Sequence, residues 1–332
     1  LAAKMGAAEL LGVDVDGTLT QLLADNNLPD FGFGPWWEST LEYNKICYDL
    51  TEFAENDEEY QTKVPYGLRM LGYMLDDERC FVVPATNRPF VAYLNKTFFE
   101  EMNVDMPDRD TWTLEELMDY MQTMTDYSTG KFAWAAGATL SNAFTPSMTE
   151  NAISVGGYKL GGTVDLTNWL SLIEFEREAY RLNQKALNGG HANWMKDHPD
   201  DANVISSGDI AIYIDSLHMW RSCLNSNLVE KGIEYVPYFI PAADGVENAG
   251  LYTYCDTGYI SATCEHPREA WEAMKYLCWG YEGWTERVEL YKTLKKDGTD
   301  ELLYPDGPSY LPISTDEVLN AKVADLFKDF DH

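Results

Sequence analysis

Apolar residues recur at helical spacing in three stretches of the chain. Thr113 and Glu116 have the spacing of a capping box, and behind them Leu114, Leu117, Met118, Met121 and Met124 fall on one face. Leu172, Phe175, Ala179, Leu182 and Ala186 form a second stripe. Pro267 sits where a first helical turn accepts proline, and Ala270, Trp271, Met274, Leu277 and Cys278 follow it on one face. Core packing accounts for all three stripes. The strand candidates are short apolar runs: Phe81–Val83 ending at Pro84, Val91–Leu94, Ile210–Ile214, Tyr235–Ile240 and Gly258–Ala262. Paired glycines at Gly156-Gly157, Gly161-Gly162 and Gly189-Gly190 read as loops. Strands alternating with helices predict an α/β fold. The sequence has no internal repeat and no low-complexity linker, so two lobes would have to be joined by more than one crossing of the chain.

With 332 residues, 45% of them hydrophobic, the chain is large enough for two lobes of ordinary domain size. The formal net charge of -31 argues against a nucleic-acid partner, because such a surface repels phosphate backbones. The acids are spread along the chain, as on a solvated surface. Aromatic residues make up 13%, with 10 Trp and 21 Tyr. Large cores use such rings, and so does a carbohydrate site, where flat ring faces stack on the C–H faces of sugars. The six cysteines, Cys47, Cys80, Cys223, Cys255, Cys264 and Cys278, include no Cys-x-x-Cys pair, against a zinc ribbon or a thioredoxin-type motif. Buried free thiols are expected, with one or two bridges left open. No apolar run reaches membrane-spanning length. His191 and His198 are too far apart for a helical zinc pair, so no metal and no cofactor is assigned.

One enzymatic motif has to be weighed. Val13 to Thr20 resembles the nucleophile segment of haloacid dehalogenase-type phosphatases, which implies attack on phosphorus by Asp14, with Asp16 as general acid/base beside magnesium. The downstream partners fail: no second acid follows Gly208-Asp209 at the short spacing needed, and no lysine is suitably placed after a strand. A calcium loop starting at Asp14 lacks its terminal glutamate. A glycosidase needs two carboxylates at a defined separation, and no motif here resembles such a family.

A longer pattern covers most of the chain. Phe81–Pro84, the crossing segment Ala85–Phe90, Tyr93-Leu94-Asn95-Lys96 with its following helix start, and Pro107–Glu116 occur in that order. Upstream lie Leu28-Pro29-Asp30 and Asp49-Leu50-Thr51. Downstream lie Ser207–Ile212 with Trp220, then Glu265-His266-Pro267 with Ala270-Trp271, and Tyr310-Leu311-Pro312. This order resembles the bacterial extracellular solute-binding proteins of ABC importers, the sugar-binding group above all. The match departs from the family between Gly12 and Leu28, where the segment is short, and after Asp316, where the helices look curtailed.

The resemblance implies an α/β, two-lobed, periplasmic-binding-protein-like (type II) clamshell with several crossovers. Lobe 1 is expected from 1–84 and 258–305, lobe 2 from 88–252 and 312–332, with crossovers near 84–88, 252–257 and 304–312. It implies no catalytic residue, a small-molecule ligand (an oligosaccharide or related polyol) held between the lobes, permease subunits as partners, and a monomer. It also implies an extracellular or periplasmic site, with a lipid tether whose anchoring cysteine would lie upstream of Leu1.

Binding loops of α/β sheets follow the carboxyl ends of strands, which selects the candidate ligand residues. Trp36, Trp37 and Glu38 follow the Leu28–Phe31 strand: rings to stack on a sugar, and a carboxylate to accept from hydroxyls. Asn87 and Arg88 lie on the first crossover as donors, with a hinge salt bridge as the alternative role for Arg88. Asp215, Ser216, His218 and Trp220 follow the Ile210–Ile214 strand and form the strongest group. Tyr252, Tyr254 and Asp256 lie on the second crossover. Trp134 and the loop Asn142–Thr149 complete the set.

Overall fold

The computed structural model describes residues 28–33, 46–73, 78–109, 111–125, 131–136, 144, 154–155, 158–159, 169–186, 196, 204–220, 228, 230–246, 252–297 and 311–328. In chain order the first elements are β1 (Phe31–Phe33), α1 (Thr51–Asn56), α2 (Glu58–Lys63), α3 (Tyr66–Arg69), β2 (Val83–Pro84), β3 (Arg88–Asn95), α4 (Lys96–Glu101) and α5 (Leu114–Thr123). There follow β4 (Phe132–Ala136), β5 (Ser154–Val155), β6 (Tyr158–Lys159), α6 (Trp169–Ala186), β7 (Ile210–Ser216), β8 (Tyr235–Phe239), β9 (Thr253–Tyr254) and β10 (Thr257–Ile260). The last three are α7 (Pro267–Cys278), α8 (Tyr281–Asp297) and α9 (Glu317–Lys328). The mixed α/β class read from the sequence is the class observed.

The described residues divide into two units. Unit 1 holds those up to Asn87, from Cys255 to 297, and from Leu311 to 328; unit 2 holds those from Arg88 to Tyr254.

Unit 1 is built on an antiparallel sheet of order β1-β10-β2, with Gly32 opposite Tyr259 and Gly258 opposite Val83. Its core gathers Leu50, Tyr60, Val83, Ile260, Trp271, Met274, Trp279 and Ile313. Trp271 stands among three rings, with centroids 5.7 Å from Phe53, 5.6 Å from Tyr60 and 5.2 Å from Trp279. Asp57 caps α2 by accepting from the Tyr60 N–H at 2.9 Å, and the same carboxylate accepts from Trp271 Nε1 at 3.0 Å and Lys275 Nζ at 3.0 Å. Gly72 permits a close approach that no side chain allows, since a Cβ there would lie 2.5 Å from Cys80 Sγ and 2.7 Å from the Val82 carbonyl oxygen. Cys47, Cys80 and Cys278 are buried free thiols, and Cys264 is also free. Burial pushes the Cys80 thiol up to about 12. Cys223 lies outside the described residues.

The C-terminal segment corrects one expectation. The sequence reading joins 312–332 to lobe 2, whereas Leu311 to 328 belongs to unit 1. Local bonds fix it there. Thr315 N donates to the Lys63 carbonyl at 2.7 Å, Lys63 pairs with Asp316 at 2.9 Å, and Lys322 Nζ donates to Tyr281 Oη at 3.0 Å. Leu319, Val323 and Leu326 are buried where α9 packs on α8.

Unit 2 contains a sheet of order β4-β7-β3-β8, with β9 also pairing with β3. β3 runs antiparallel to β7 and β8, while β4 runs parallel to β7. Pro237 is accommodated because β8 is an edge strand among the described strands. Alternation along β3 sends Phe90, Ala92 and Leu94 into a core with Ile212, Ile214, Tyr238 and Trp134, leaving Val91 and Tyr93 to the opposite face. The helices α5 and α6 cover the core side, and the Thr113–Glu116 capping box read from the sequence is present at the start of α5.

Asn95 shows how one side chain places a strand, a turn and a helix together. It is 1% exposed. Its Oδ1 caps α4 by accepting from the Phe98 N–H at 3.0 Å, while Nδ2 donates to the carbonyls of Gly208 at 2.9 Å and Ile210 at 3.3 Å. Gly208 enters β7 with φ 77°, a conformation that favours glycine. The amino end of β7 is thereby tied to the carboxyl end of β3.

Candidate functional site

Register carries Asp215 and Ser216 to the same end of the sheet as Val91 and Phe90. Asp215 is 7% exposed; its carboxylate accepts from the Ser216 N–H at 2.6 Å and from the Tyr213 hydroxyl at 3.3 Å. Burial pushes its carboxyl above the ordinary range, partly offset by the Ser216 N–H, the charge of His218 and the Tyr213 hydroxyl. A short 3₁₀ turn, Leu217–Met219, follows the strand and leaves His218 exposed, with its Nδ1 2.5 Å from Ser216 Oγ. Trp220 is buried and its ring stacks on Tyr93, with centroids 6.4 Å apart and planes 19° apart. The Tyr93 hydroxyl donates to the Ser216 carbonyl at 3.0 Å, so the strand end is braced from β3. The sequence places Tyr93 in the Tyr93–Lys96 element but not among the site residues; its apolar-run position gives no sign that its hydroxyl crosses to β7. Among the described residues, Trp220 Nε1 has no hydrogen-bond partner.

Unit 2 also holds Arg88 and Tyr254, which are register partners, with the Arg88 guanidinium over the Tyr254 ring at 6.0 Å. Tyr252 meets the Phe90 ring edge-on at 4.9 Å. Trp134 is a correction. It is 1% exposed in the core, and its indole N–H donates to the Ala179 carbonyl at 3.0 Å. Its burial and the use of its one polar atom inside unit 2 leave no surface for a ligand. In the loop 142–149 only Phe144 is described, and it is a core residue packed on Phe175.

In unit 1, Asn87 bonds to backbone, and Asp256 bonds to the Thr86 hydroxyl and to backbone. Asn87 Nδ2 donates to the Pro312 carbonyl at 3.1 Å, and the Asn87 carbonyl accepts from the Leu311 N–H at 2.7 Å. Asp256 and Thr86 bond reciprocally: Thr86 Oγ1 donates to Asp256 Oδ2 at 3.1 Å and accepts from the Asp256 N–H at 2.9 Å. The Asp256 carbonyl also accepts from the Ala85 N–H at 2.7 Å. Three segments of unit 1, around 85–87, 256 and 311–312, are therefore tied to one another. Trp36, Trp37 and Glu38, like Asp14 and Asp16, lie outside the described residues.

The grouping at the end of β7 stands on a mixed α/β scaffold that the chain enters at Arg88 and leaves at Tyr254. The chain belongs to the bacterial extracellular solute-binding proteins, whose family model matches residues 13–293. That span includes Asp14 and Asp16, so the phosphatase-like motif lies inside a solute-binding domain.

Solved structures agree on the fold. An ABC substrate-binding protein from Listeria monocytogenes, in complex with cycloalternan, matches with a TM-score of 0.59 at 12% identity, over 93% of this chain and 72% of that one. The GacH receptor of Streptomyces glaucescens, studied unliganded and with acarbose, matches with a TM-score of 0.56 at 14% identity, over 93% and 71%. An ABC transporter solute-binding protein from Thermotoga lettingae, bound with α-D-tagatose, matches with a TM-score of 0.55 at 16% identity, over 93% and 73%. No curated protein matches the chain in sequence.

Proposed function

We propose that the chain is the substrate-binding component of an ABC importer that takes up a carbohydrate, an oligosaccharide or a related polyol, and that it carries out no chemistry on its ligand. The observation that carries this reading is the group Asp215, Ser216 and His218 at the carboxyl end of β7, backed by the Tyr93–Trp220 stack, in a member of this family. A carboxylate, a hydroxyl and an imidazole on a braced strand end suit a polyhydroxylated ligand, whose hydroxyls both donate and accept. The cyclic oligosaccharide, pseudo-oligosaccharide and ketose named for the similar structures point to the same ligand class.

In this reading Asp215 accepts from ligand hydroxyls, Arg88 donates, and Trp36, Trp37 and Glu38 add stacking rings and a second carboxylate. Asn87 adds a second donor and Asp256 a further acceptor. Ligand binding shifts the population towards a closed form, which the permease reads. The protein works as a monomer outside the cell, held to the bacterial surface by a lipid.

A thermal-shift screen over cycloalternan, acarbose, α-D-tagatose, D-mannitol, amino acids and phosphosugars tests this. A dose-dependent rise in melting temperature with a sugar or polyol, and none with amino acids, is the expected result. Magnesium-dependent turnover of p-nitrophenyl phosphate that Asp14→Asn abolishes would overturn it.

A further inference from the structure

Phe239 ends β8 and is 64% exposed, although the residues on either side, Tyr238 and Ile240, are 8% and 6% exposed. Isolated apolar residues on a surface are common and need no function, so exposure alone decides nothing; position does. Val91 of β3 is paired with Asp215 on one side and with Phe239 on the other. The three therefore lie in one row across three strands, on the face opposite the Phe90–Leu94 core cluster, with Val91 and Asp215 buried and Phe239 its exposed end. Strands lie about 4.8 Å apart, which puts the backbones of Asp215 and Phe239 about 10 Å apart. That is close to the span of two linked sugar rings. Both residues stand at the carboxyl ends of their strands, where α/β sheets place their binding loops.

The position of Phe239 is also rigid. Trp112 Nε1 donates to its carbonyl oxygen at 3.1 Å, and the Tyr238 ring beside it packs edge-on against Trp112 with centroids 5.6 Å apart. Pro237 and Pro241 fix the backbone two residues to either side. A flat hydrocarbon ring held in water by a stiff strand end loses little freedom when a ligand covers it.

We propose that Phe239 is a stacking platform for a ring sugar whose hydroxyls engage Asp215, and that it makes the site prefer cyclic sugars over open-chain polyols. The inference rests on the carbohydrate reading above. Stacking requires the flat C–H face of a closed ring, which an open-chain polyol does not present.

The test is titration calorimetry of wild type, Phe239→Ala and Phe239→Trp with acarbose, cycloalternan, α-D-tagatose and D-mannitol. Phe239→Ala is expected to raise the Kd for the ring sugars that wild type binds by about tenfold. Any D-mannitol affinity should change little, Phe239→Trp should retain ring-sugar binding, and both variants should keep the wild-type melting temperature without ligand. Undiminished ring-sugar affinity in Phe239→Ala would overturn the platform and leave the carbohydrate reading standing. Wild type that binds none of the four would overturn both.

Discussion

The carboxylate of Asp57 accepts from the indole N–H of Trp271 at 3.0 Å, joining the start of α2 to α7 across 214 residues of sequence. Asp57 side-chain exposure is 7%, and Lys275 closes the same group. Asp57→Ala removes a helix cap and strands an indole N–H and an ammonium, so unit 1 should lose about 2–4 kcal/mol. Asp57→Asn keeps an acceptor and should lose less. Urea denaturation followed by tryptophan fluorescence reads both.

The same carboxyl gives a pH dependence. Burial by itself would raise it, but the Tyr60 N–H, the Trp271 N–H and Lys275 together hold it below its ordinary value of 3.8. A folded-state value below the unfolded one means stability that is complete above the unfolded value and lost as pH falls through the folded one. Wild type should therefore show an acid-side loss of stability below about pH 4 that is smaller in Asp57→Asn, measured by urea midpoints at a series of pH values.

Asn95 separates hydrogen bonding from charge. Asn95→Ala loses a cap and two buried bonds, at a cost of about 2–3 kcal/mol. Asn95→Asp keeps the cap but turns a carboxylate oxygen toward the carbonyls of Gly208 and Ile210, so it should cost more, about 3–5 kcal/mol. Equal or reversed costs in chemical denaturation would contradict the arrangement.

Asp215 should show opposed effects on stability and binding. Its folded-state carboxyl is raised by burial, so its contribution to stability is present at low pH and lost as pH rises through the folded value. Asp215→Asn should accordingly melt higher than wild type at pH 7, while its affinity for the sugar that wild type binds falls about tenfold or more. Differential scanning fluorimetry with and without that sugar reads both quantities.

Trp134→Phe tests the corrected role of a core residue. It removes the bond to the Ala179 carbonyl and part of the ring volume, so unit 2 should lose about 1–3 kcal/mol. Sugar affinity, measured by calorimetry well below the melting temperature, should stay at the wild-type value.

What could be read from the chain was what is local. The Thr113–Glu116 box and the stripe behind it need residues only a turn or two apart, and both appear as read. The apolar runs at 91–94 and 210–214 mark strands that extend further, to Arg88–Asn95 and Ile210–Ser216, because pairing partners elsewhere lengthen them. Roles set by distant partners could not be read. The Asp256 carboxylate accepts from Thr86, 170 residues away, and Asn87 donates to Pro312, 225 residues away, and neither link is visible in the sequence. The allegiance of the C-terminal segment depends on Lys63 and α8 in the same way. Trp134 and Trp220 are the same residue type after or within a strand. Only packing tells the first, sealed among Phe144 and α6, from the second, which backs an exposed histidine.

Arg88 and Tyr254 sit opposite each other on β3 and β9, so the stretch between them begins and ends at almost one point. Joining such neighbouring ends needs only a short turn and costs little closure entropy. A cut at 88 and 254 with the flanks rejoined by a brief linker is therefore the natural place to divide the gene, since each portion keeps its own hydrophobic cluster.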